Sequence, residues 1–227
     1  MLLELSAVMA LAQQCAPQVA PETMAAVAHT ESRFNPYAIG VNRSAGLTRQ
    51  PRTREEAIAA ARALLAQGKN IDLGLAQINS NNMAWLGLSV EDAFDPCKSL
   101  AAGARVLTSN YRSVVQSASS QQHALRLALS MYNTGSRSRG FGNGYVRKVE
   151  DAAARLAGGR LTTRLPTIRI QQEESAPASP VELAMARADQ VTGTASPPAP
   201  TAPPPPAWDV FGNARQTGVH VFGGAAQ

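Results

Sequence analysis

Residues 21–36 run Pro21-Glu-Thr-Met-Ala-Ala-Val-Ala-His-Thr-Glu31-Ser-Arg-Phe-Asn35-Pro36 and spell a short helix with a carboxylate on its inner side. Met24, Val27 and Ala28 recur at helical spacing, and Glu31 falls seven residues after Met24 and four after Val27, on the same apolar stripe. Proline disfavours the α conformation in the residue before it, so Asn35-Pro36 ends the helix within a few residues of Glu31. Burial penalises the charged carboxylate, and the negative end of the helix dipole opposes a second negative charge. Both effects hold the proton on the side chain, which is the condition for a general acid. The competing reading is a plain helix end at which Glu31 pairs with Arg33 or another arginine.

On either side of this segment the pattern is mostly helical. Met1 to Ala12 is apolar, but it has no Lys or Arg and carries Glu4. It is therefore read as a first domain helix ending near Cys15 rather than as a signal peptide, and export would use a signal absent from this form of the chain or another route. Tyr37 to Thr48 alternates weakly around Ile39, Val41 and Leu47 and predicts a small hairpin. Thr53 and Glu56 make a capping-box pattern for a helix from Arg54 to Gln67, with Gly68 as its stop. A mixed segment, Asp72 to Asn79, opens onto a short helix near Asn82 to Leu86. Three further helices are marked by Leu100/Ala104/Leu107/Tyr111, by Leu125/Ala128/Leu129/Tyr132 and by Val146/Val149/Ala153/Leu156. The expected fold class is mainly α with at most a small hairpin.

This periodicity stops near residue 160, where Pro, Ala, Ser and Thr take over and lead to the run Pro203 to Pro206. Such a composition has too few large apolar side chains to organise a core. The expected division is a folded domain over 1–158 and a disordered tail over 159–227. The basic excess lies in the folded part: residues 1–159 hold 16 Lys and Arg against 11 Asp and Glu, and 160–227 hold five of each. A moderately cationic domain suits an anionic polymer or surface, with peptidoglycan, nucleic acid and membrane headgroups all open at this level. No Lys/Arg run or interleaved aromatic set singles out nucleic acid. No apolar stretch approaches the roughly 20 residues a bilayer span needs. The three histidines are scattered and form no metal-ligand spacing with the cysteines, so no metal is expected. Cys15 and Cys97, the latter read as lying in a turn after Asp95-Pro96, are either a disulfide closing a long loop or two separate buried thiols. A disulfide would imply an oxidising compartment such as the periplasm.

Four short motifs remain: Glu31-Ser32-Arg33-Phe34-Asn35-Pro36, Gly74-Leu-Ala-Gln77-Ile-Asn79, Ser130-Met-Tyr132-Asn133-Thr-Gly135 and Gly144-Tyr145-Val-Arg-Lys. Each alone is an ordinary helix end, turn or helix start. In this order, in a helical domain of this length, they resemble the catalytic domain of soluble lytic transglycosylases, which has the goose-type lysozyme fold. Ala12-Gln-Gln-Cys-Ala-Pro, Asp95-Pro-Cys97 and the segment between Tyr37 and Asp72 resemble more closely the lytic transglycosylase subunit of type IV secretion systems. The likeness covers about the first 158 residues and returns at Trp208-Asp-Val-Phe.

That resemblance implies a periplasmic enzyme that cleaves peptidoglycan strands between N-acetylmuramic acid and N-acetylglucosamine without metal or organic cofactor. It matches Glu31 to the catalytic glutamate, Ser32 to the serine after it, and Gln77 to the glutamine of a glycine-leucine-methionine-glutamine motif whose methionine is Ala76 here. It matches Tyr132 and Asn133 to a tyrosine-asparagine pair, with Met131 where many relatives have alanine, and Tyr145 to the tyrosine of the last helix. Ser32, Gln77, Asn79, Tyr132, Asn133 and Tyr145 are thus the candidate substrate-binding residues, Tyr145 also as a partner holding Glu31. Glycosidases normally use two carboxylates. Glu55, Glu56, Asp72, Asp92 and Asp95 all lie on segments that read as exposed, so the expectation is a single acid, and the resemblance implies that the sugar's own 6-hydroxyl closes a 1,6-anhydro ring. A hydrolytic muramidase and a non-catalytic peptidoglycan-binding scaffold are the rival readings.

After the polyproline run, Trp208, Val210 and Phe211, with Val219 to Phe222, put apolar side chains where a strand could join a partner's sheet edge. Docking to another component of the secretion apparatus is one expectation, and residual hydrophobicity in a disordered end is the other. Deleting residues 200–227 should leave glycan cleavage intact and weaken channel assembly; unchanged assembly would reject it.

Overall fold

The structure is a computed structural model and describes residues 2–158. The division at 158/159 and the tail motif with Trp208, Val210 and Phe211 therefore involve residues outside those described. In chain order the elements are α1 (Leu5–Cys15), α2 (Pro21–Ser32), β1 (Ile39–Val41), α3 (Arg54–Ala66), β2 (Ile71–Leu73) and β3 (Ile78–Asn79). After a 3-10 turn (Ser80–Asn82) come α4 (Met83–Leu86), α5 (Val90–Ala93), α6 (Pro96–Val114), α7 (Gln121–Thr134), α8 (Arg139–Gly142) and α9 (Tyr145–Leu156).

Helix α2 packs against α1, α6 and α9, and it is buried more completely than a single apolar stripe predicts. Met24, Ala25, Ala26, Val27 and Ala28 are all buried in succession. A helix apolar on every side belongs inside a bundle, and its small alanines let three neighbours approach at once. Leu100, Leu107 and Tyr111 of α6, Leu125 and Leu129 of α7, and Val146 and Val149 of α9 complete this core. Past Ser32 the chain reverses through Arg33 (φ 51°) and Phe34 (φ 66°). Two successive non-glycine residues in the left-handed region cost roughly 1–2 kcal/mol each. Burial of the Phe34 ring, which meets His29 edge-on at 5.2 Å, offsets part of that cost.

A second, smaller core lies under the sheet, where Ile39, Ile71 and Leu73 pack with Ala57 and Ala61 of α3 and with Phe94. The expected hairpin around Ile39, Val41 and Leu47 does not form there. Instead β1 pairs antiparallel with β2, setting Ile39 opposite Leu73 and Gly40 opposite Asp72, and β2 pairs with β3, setting Asp72 opposite Asn79. The reason is apolar supply: Asn42-Arg43-Ser44 follows Val41 directly and offers no core residue, whereas Ile71 and Leu73 do. Among the described residues only β2 and β3 close locally, through the turn at Gly74 to Gln77.

Cys15, the last residue of α1, is disulfide-bonded to Cys97 with Cα atoms 5.5 Å apart across 82 positions. Cys97 lies not in a turn but in the first turn of α6, because Asp95 caps that helix by accepting from the Lys98 amide and Pro96 occupies its first position. Thr53 caps α3 as its sequence pattern indicates, while the Glu56 carboxylate accepts from the Arg52 amide rather than completing the reciprocal box. Among the described residues no helix is long and apolar enough to cross a membrane.

Candidate active site

Glu31 stands in the last turn of α2, partly exposed on one side to a groove. Tyr145, at the start of α9 and buried, donates its hydroxyl to Glu31 Oε1 at 2.6 Å across 114 positions of sequence. Burial pushes the Glu31 carboxyl up from 4.5 to about 7; the Tyr145 hydrogen bond opposes that shift, and the nearby negative charge of Asp72 adds to it. Among the described residues Glu31 makes no ion pair, so the reading in which it pairs with Arg33 is not what the fold adopts.

The turn between β2 and β3 is fixed by a glycine. Gly74 has φ 75°, and a Cβ there would lie 1.9 Å from the Ala93 carbonyl oxygen. This turn brings Gln77 (φ 47°) to the groove, with its Nε2 donating to the carbonyls of Ala38 and Gly74, both at 3.0 Å. With both N–H groups so used, the amide oxygen of Gln77 is the group left to accept a hydrogen bond. Tyr132 of α7 donates to the Ala76 carbonyl at 2.7 Å. Gly103 of α6 permits that approach: a Cβ there would stand 3.0 Å from the Tyr132 hydroxyl and 2.9 Å from Ala76 Cβ. Asn133 follows, its amide oxygen accepting from Asn143 at 2.9 Å.

Asp72, expected on an exposed segment, is instead a lining residue of the same groove as Glu31. It sits on the central strand with Ile71 and Leu73 turned into the core on either side. Asn79 donates to its Oδ1 at 2.7 Å and Asn42 to its Oδ2 at 2.9 Å. Asn70 and Asn79 exchange amide hydrogen bonds at 3.0 and 2.8 Å and hold this pair in register. Burial raises the Asp72 pKa while the Asn79 and Asn42 amides pull it back down.

The groove has a volume of about 1380 Å³ and is lined by eight asparagines, with Trp85 and Met131 as apolar patches and Arg43 and Arg139 as cations. That exceeds the roughly 300–1,000 Å³ of small-molecule pockets, and its many neutral amides suit a polymer of hydroxyl and N-acetyl groups. Of the sequence candidates, Glu31, Gln77, Asn79, Tyr132 and Asn133 line it together. Two are corrected. Ser32 does not reach the groove: its hydroxyl donates to the Leu75 carbonyl at 2.8 Å, shared with Ala28 at 3.0 Å, and so ties α2 to the Gly74 turn. Tyr145 is not among the lining residues, and its hydroxyl is engaged with Glu31. Sequence reasoning missed Asp72, Asn42, Asn70, Trp85 and Asn143. The one usable signal was Asp72 between two core residues on a strand, which assigns it to the opposite face but not to a neighbour. Among the described residues no three His, Cys, Asp or Glu side chains are grouped to hold a metal ion.

A family model described as the transglycosylase SLT domain matches residues 9–154, more than half of the chain. The type IV secretion system protein virB1 of Brucella suis biovar 1 (strain 1330) is 43% identical over 183 residues, covering 76% of this chain and 74% of its own. Protein virB1 of Agrobacterium fabrum (strain C58) is 45% identical over 145 residues, 64% of this chain and 58% of its own. Protein virB1 of Agrobacterium tumefaciens (strain 15955) is 46% identical over 146 residues, 64% of this chain and 60% of its own. No solved structure matches. On the match over residues 9–154 and the identity with these relatives, the chain belongs to the transglycosylase SLT domain family and is a lytic transglycosylase.

Proposed function

We propose that this lytic transglycosylase cleaves the bond between N-acetylmuramic acid and N-acetylglucosamine in peptidoglycan, leaves 1,6-anhydromuramic ends, and works in the periplasm to open the wall locally for a type IV secretion channel. The observation that carries the reading is a carboxyl with a pKa raised to about 7 at the edge of a long amide-rich groove. Glu31 gives its proton to the glycosidic oxygen, and the bond from that oxygen to the sugar C1 breaks with its electron pair going to oxygen. The muramic 6-hydroxyl then attacks C1 and returns its proton to the Glu31 carboxylate. Gln77 accepts from a substrate N–H or O–H, Tyr132 and Asn133 line the bound sugar, and Tyr145 fixes the Glu31 rotamer. Secretion-system context comes from the virB1 relatives. The proposed docking of the tail through Trp208, Val210 and Phe211 to another channel component completes this reading.

A hydrolytic muramidase is the second reading, and Asp72 beside Glu31 is the observation in its favour. Mass spectrometry of sacculi digested by the purified chain separates the two. Anhydro ends, lighter than reducing ends by one water, are expected; reducing muramic ends alone would replace the transglycosylase product with hydrolysis.

A further inference from the structure

We infer that Trp85 is the platform of a sugar subsite away from the bond that breaks: its indole ring stacks against the C–H face of one N-acetylhexosamine of the bound strand, so that the enzyme favours long glycan strands over short ones. The assignment rests on the glycan-cleavage reading above and extends it to the length of the substrate.

Three observations support it. The first is that Trp85 is immobilised before any ligand arrives. Its indole N–H donates to Asn82 Oδ1 at 3.2 Å, and with Val106 it packs against a small core of Ala76, Ile78, Leu86 and Ala102. The Arg105 guanidinium stands 5.7 Å from the ring centroid, anchored in turn by donating to the Leu86 carbonyl at 2.8 Å. A ring held at its N–H, its edge and one face loses little freedom when a ligand stacks on it.

The second is which side of the ring remains open. Trp85 is half-buried and lines the groove, whereas Arg105 does not line it and belongs to a separate, smaller cavity. With one face taken by the cation, the contact left to the groove is the opposite face, whose negative quadrupole suits the weakly positive C–H groups of a pyranose.

The third is the polar company of the ring. Asn110 follows Val106 by one turn of α6 and also lines the groove, although it is only 3% exposed. Its amide nitrogen turns inward to the Ala128 carbonyl at 3.4 Å, and no donor among the described residues reaches its oxygen. That oxygen is left to accept a hydrogen bond from a ligand. An apolar platform with a buried acceptor on the same wall matches the C–H face and acetamido N–H of a single sugar. The groups set around Glu31 are Tyr145, Tyr132 and Asp72, and Trp85 is not one of them, so this sugar is held apart from the chemistry. Binding energy gained there is the same before and during bond breaking and acts on KM rather than on kcat.

The test uses the full chain carrying Trp208→Phe, which leaves Trp85 as its one tryptophan. A β-1,4-linked N-acetylglucosamine hexamer should shift the Trp85 emission to shorter wavelength in a saturable way, and the dimer should bind at least about tenfold more weakly. Trp85→Leu keeps apolar bulk over the small core but removes the ring; on purified peptidoglycan it should raise KM about tenfold with kcat within about threefold of wild type. Trp85→Phe should recover most of that loss. An emission spectrum unchanged by millimolar hexamer overturns the subsite, and so does Trp85→Leu with the KM of wild type. A fall in kcat at unchanged KM, or a lowered melting temperature with Phe no better than Leu, assigns Trp85 to holding the fold and also overturns it. A protein that shifts its emission with the hexamer yet releases no product from peptidoglycan removes the cleavage reading and leaves the sugar subsite standing.

Discussion

Glu31→Gln should lower glycan release from cell-wall sacculi by roughly 10²–10⁴-fold, the range that positioned acid catalysis contributes. The chain should still fold and bind. Glutamine matches the shape of the acid and can still accept the Tyr145 hydroxyl found 2.6 Å from Oε1, but it has no proton to give the leaving oxygen. Stability should move the other way at high pH. In the folded chain the Glu31 pKa is raised from 4.5 to about 7, so between those values the folded state keeps a proton that the unfolded state has released. The stability associated with that proton is fully present below about 4.5 and is lost as pH rises through 7, by up to about 3 kcal/mol. Glutamine does not titrate. Melting curves of wild type should therefore fall between pH 5 and pH 8 relative to those of Glu31→Gln, while wild-type activity also declines above pH 7 as the acid ionises. A glutamine variant that digests sacculi at the wild-type rate would remove Glu31 from the chemistry. A purified wild type that binds sacculi but never cuts them would favour the scaffold reading.

The double change Cys15→Ser, Cys97→Ser should have the largest effect on stability. Closing a loop across 82 positions stabilises by about 4–5 kcal/mol in the chain-entropy model, a large share of the roughly 5–15 kcal/mol that holds a domain folded. The bond joins the end of α1 to the beginning of α6, and α1 also packs Val8 and Ala12, with Leu5, Met9 and Leu11, against the core it shares with α2 and α6. Neither cysteine lines the groove. The urea midpoint should therefore drop sharply, while turnover measured well below that midpoint stays close to wild type. A midpoint that does not change on reduction or substitution would show that packing alone holds α1 in place. Folding in a reducing compartment should be correspondingly poor, in keeping with the proposed periplasmic site of action.

Much of the fold was legible because helix periodicity is local. Leu100, Ala104, Leu107 and Tyr111 mark α6, and Val146, Val149 and Ala153 mark α9, with no knowledge of what they touch. Glu31 was legible for the same reason: an apolar helix on one side and Asn35-Pro36 on the other define its surroundings within 16 residues. Strand pairing is not local. β1 finds its partner beyond the whole of α3, and nothing between Tyr37 and Thr48 announces it. Asp72 was misjudged through that error, since its burial and its amide partners Asn42 and Asn79 exist only once the sheet is assembled. Ser32 is placed elsewhere for the opposite reason. It is adjacent to Glu31 in sequence, but successive helical residues point about 100° apart, so its hydroxyl meets Leu75 instead of the groove. Tyr145 came from family likeness, and its contact with Glu31 spans too much of the chain for any spacing rule to supply.

The most direct measurement is the titration of the Glu31 side-chain carboxyl by carbon NMR in selectively labelled full-length protein, with Glu31→Gln to assign the signal. An apparent pKa near 7 is expected, since burial of the carboxyl and the neighbouring charge of Asp72 raise it further than the Tyr145 hydrogen bond lowers it. A value near 4.5 would mean a carboxylate already ionised at neutral pH, and that result would contradict a proton-donating role for Glu31.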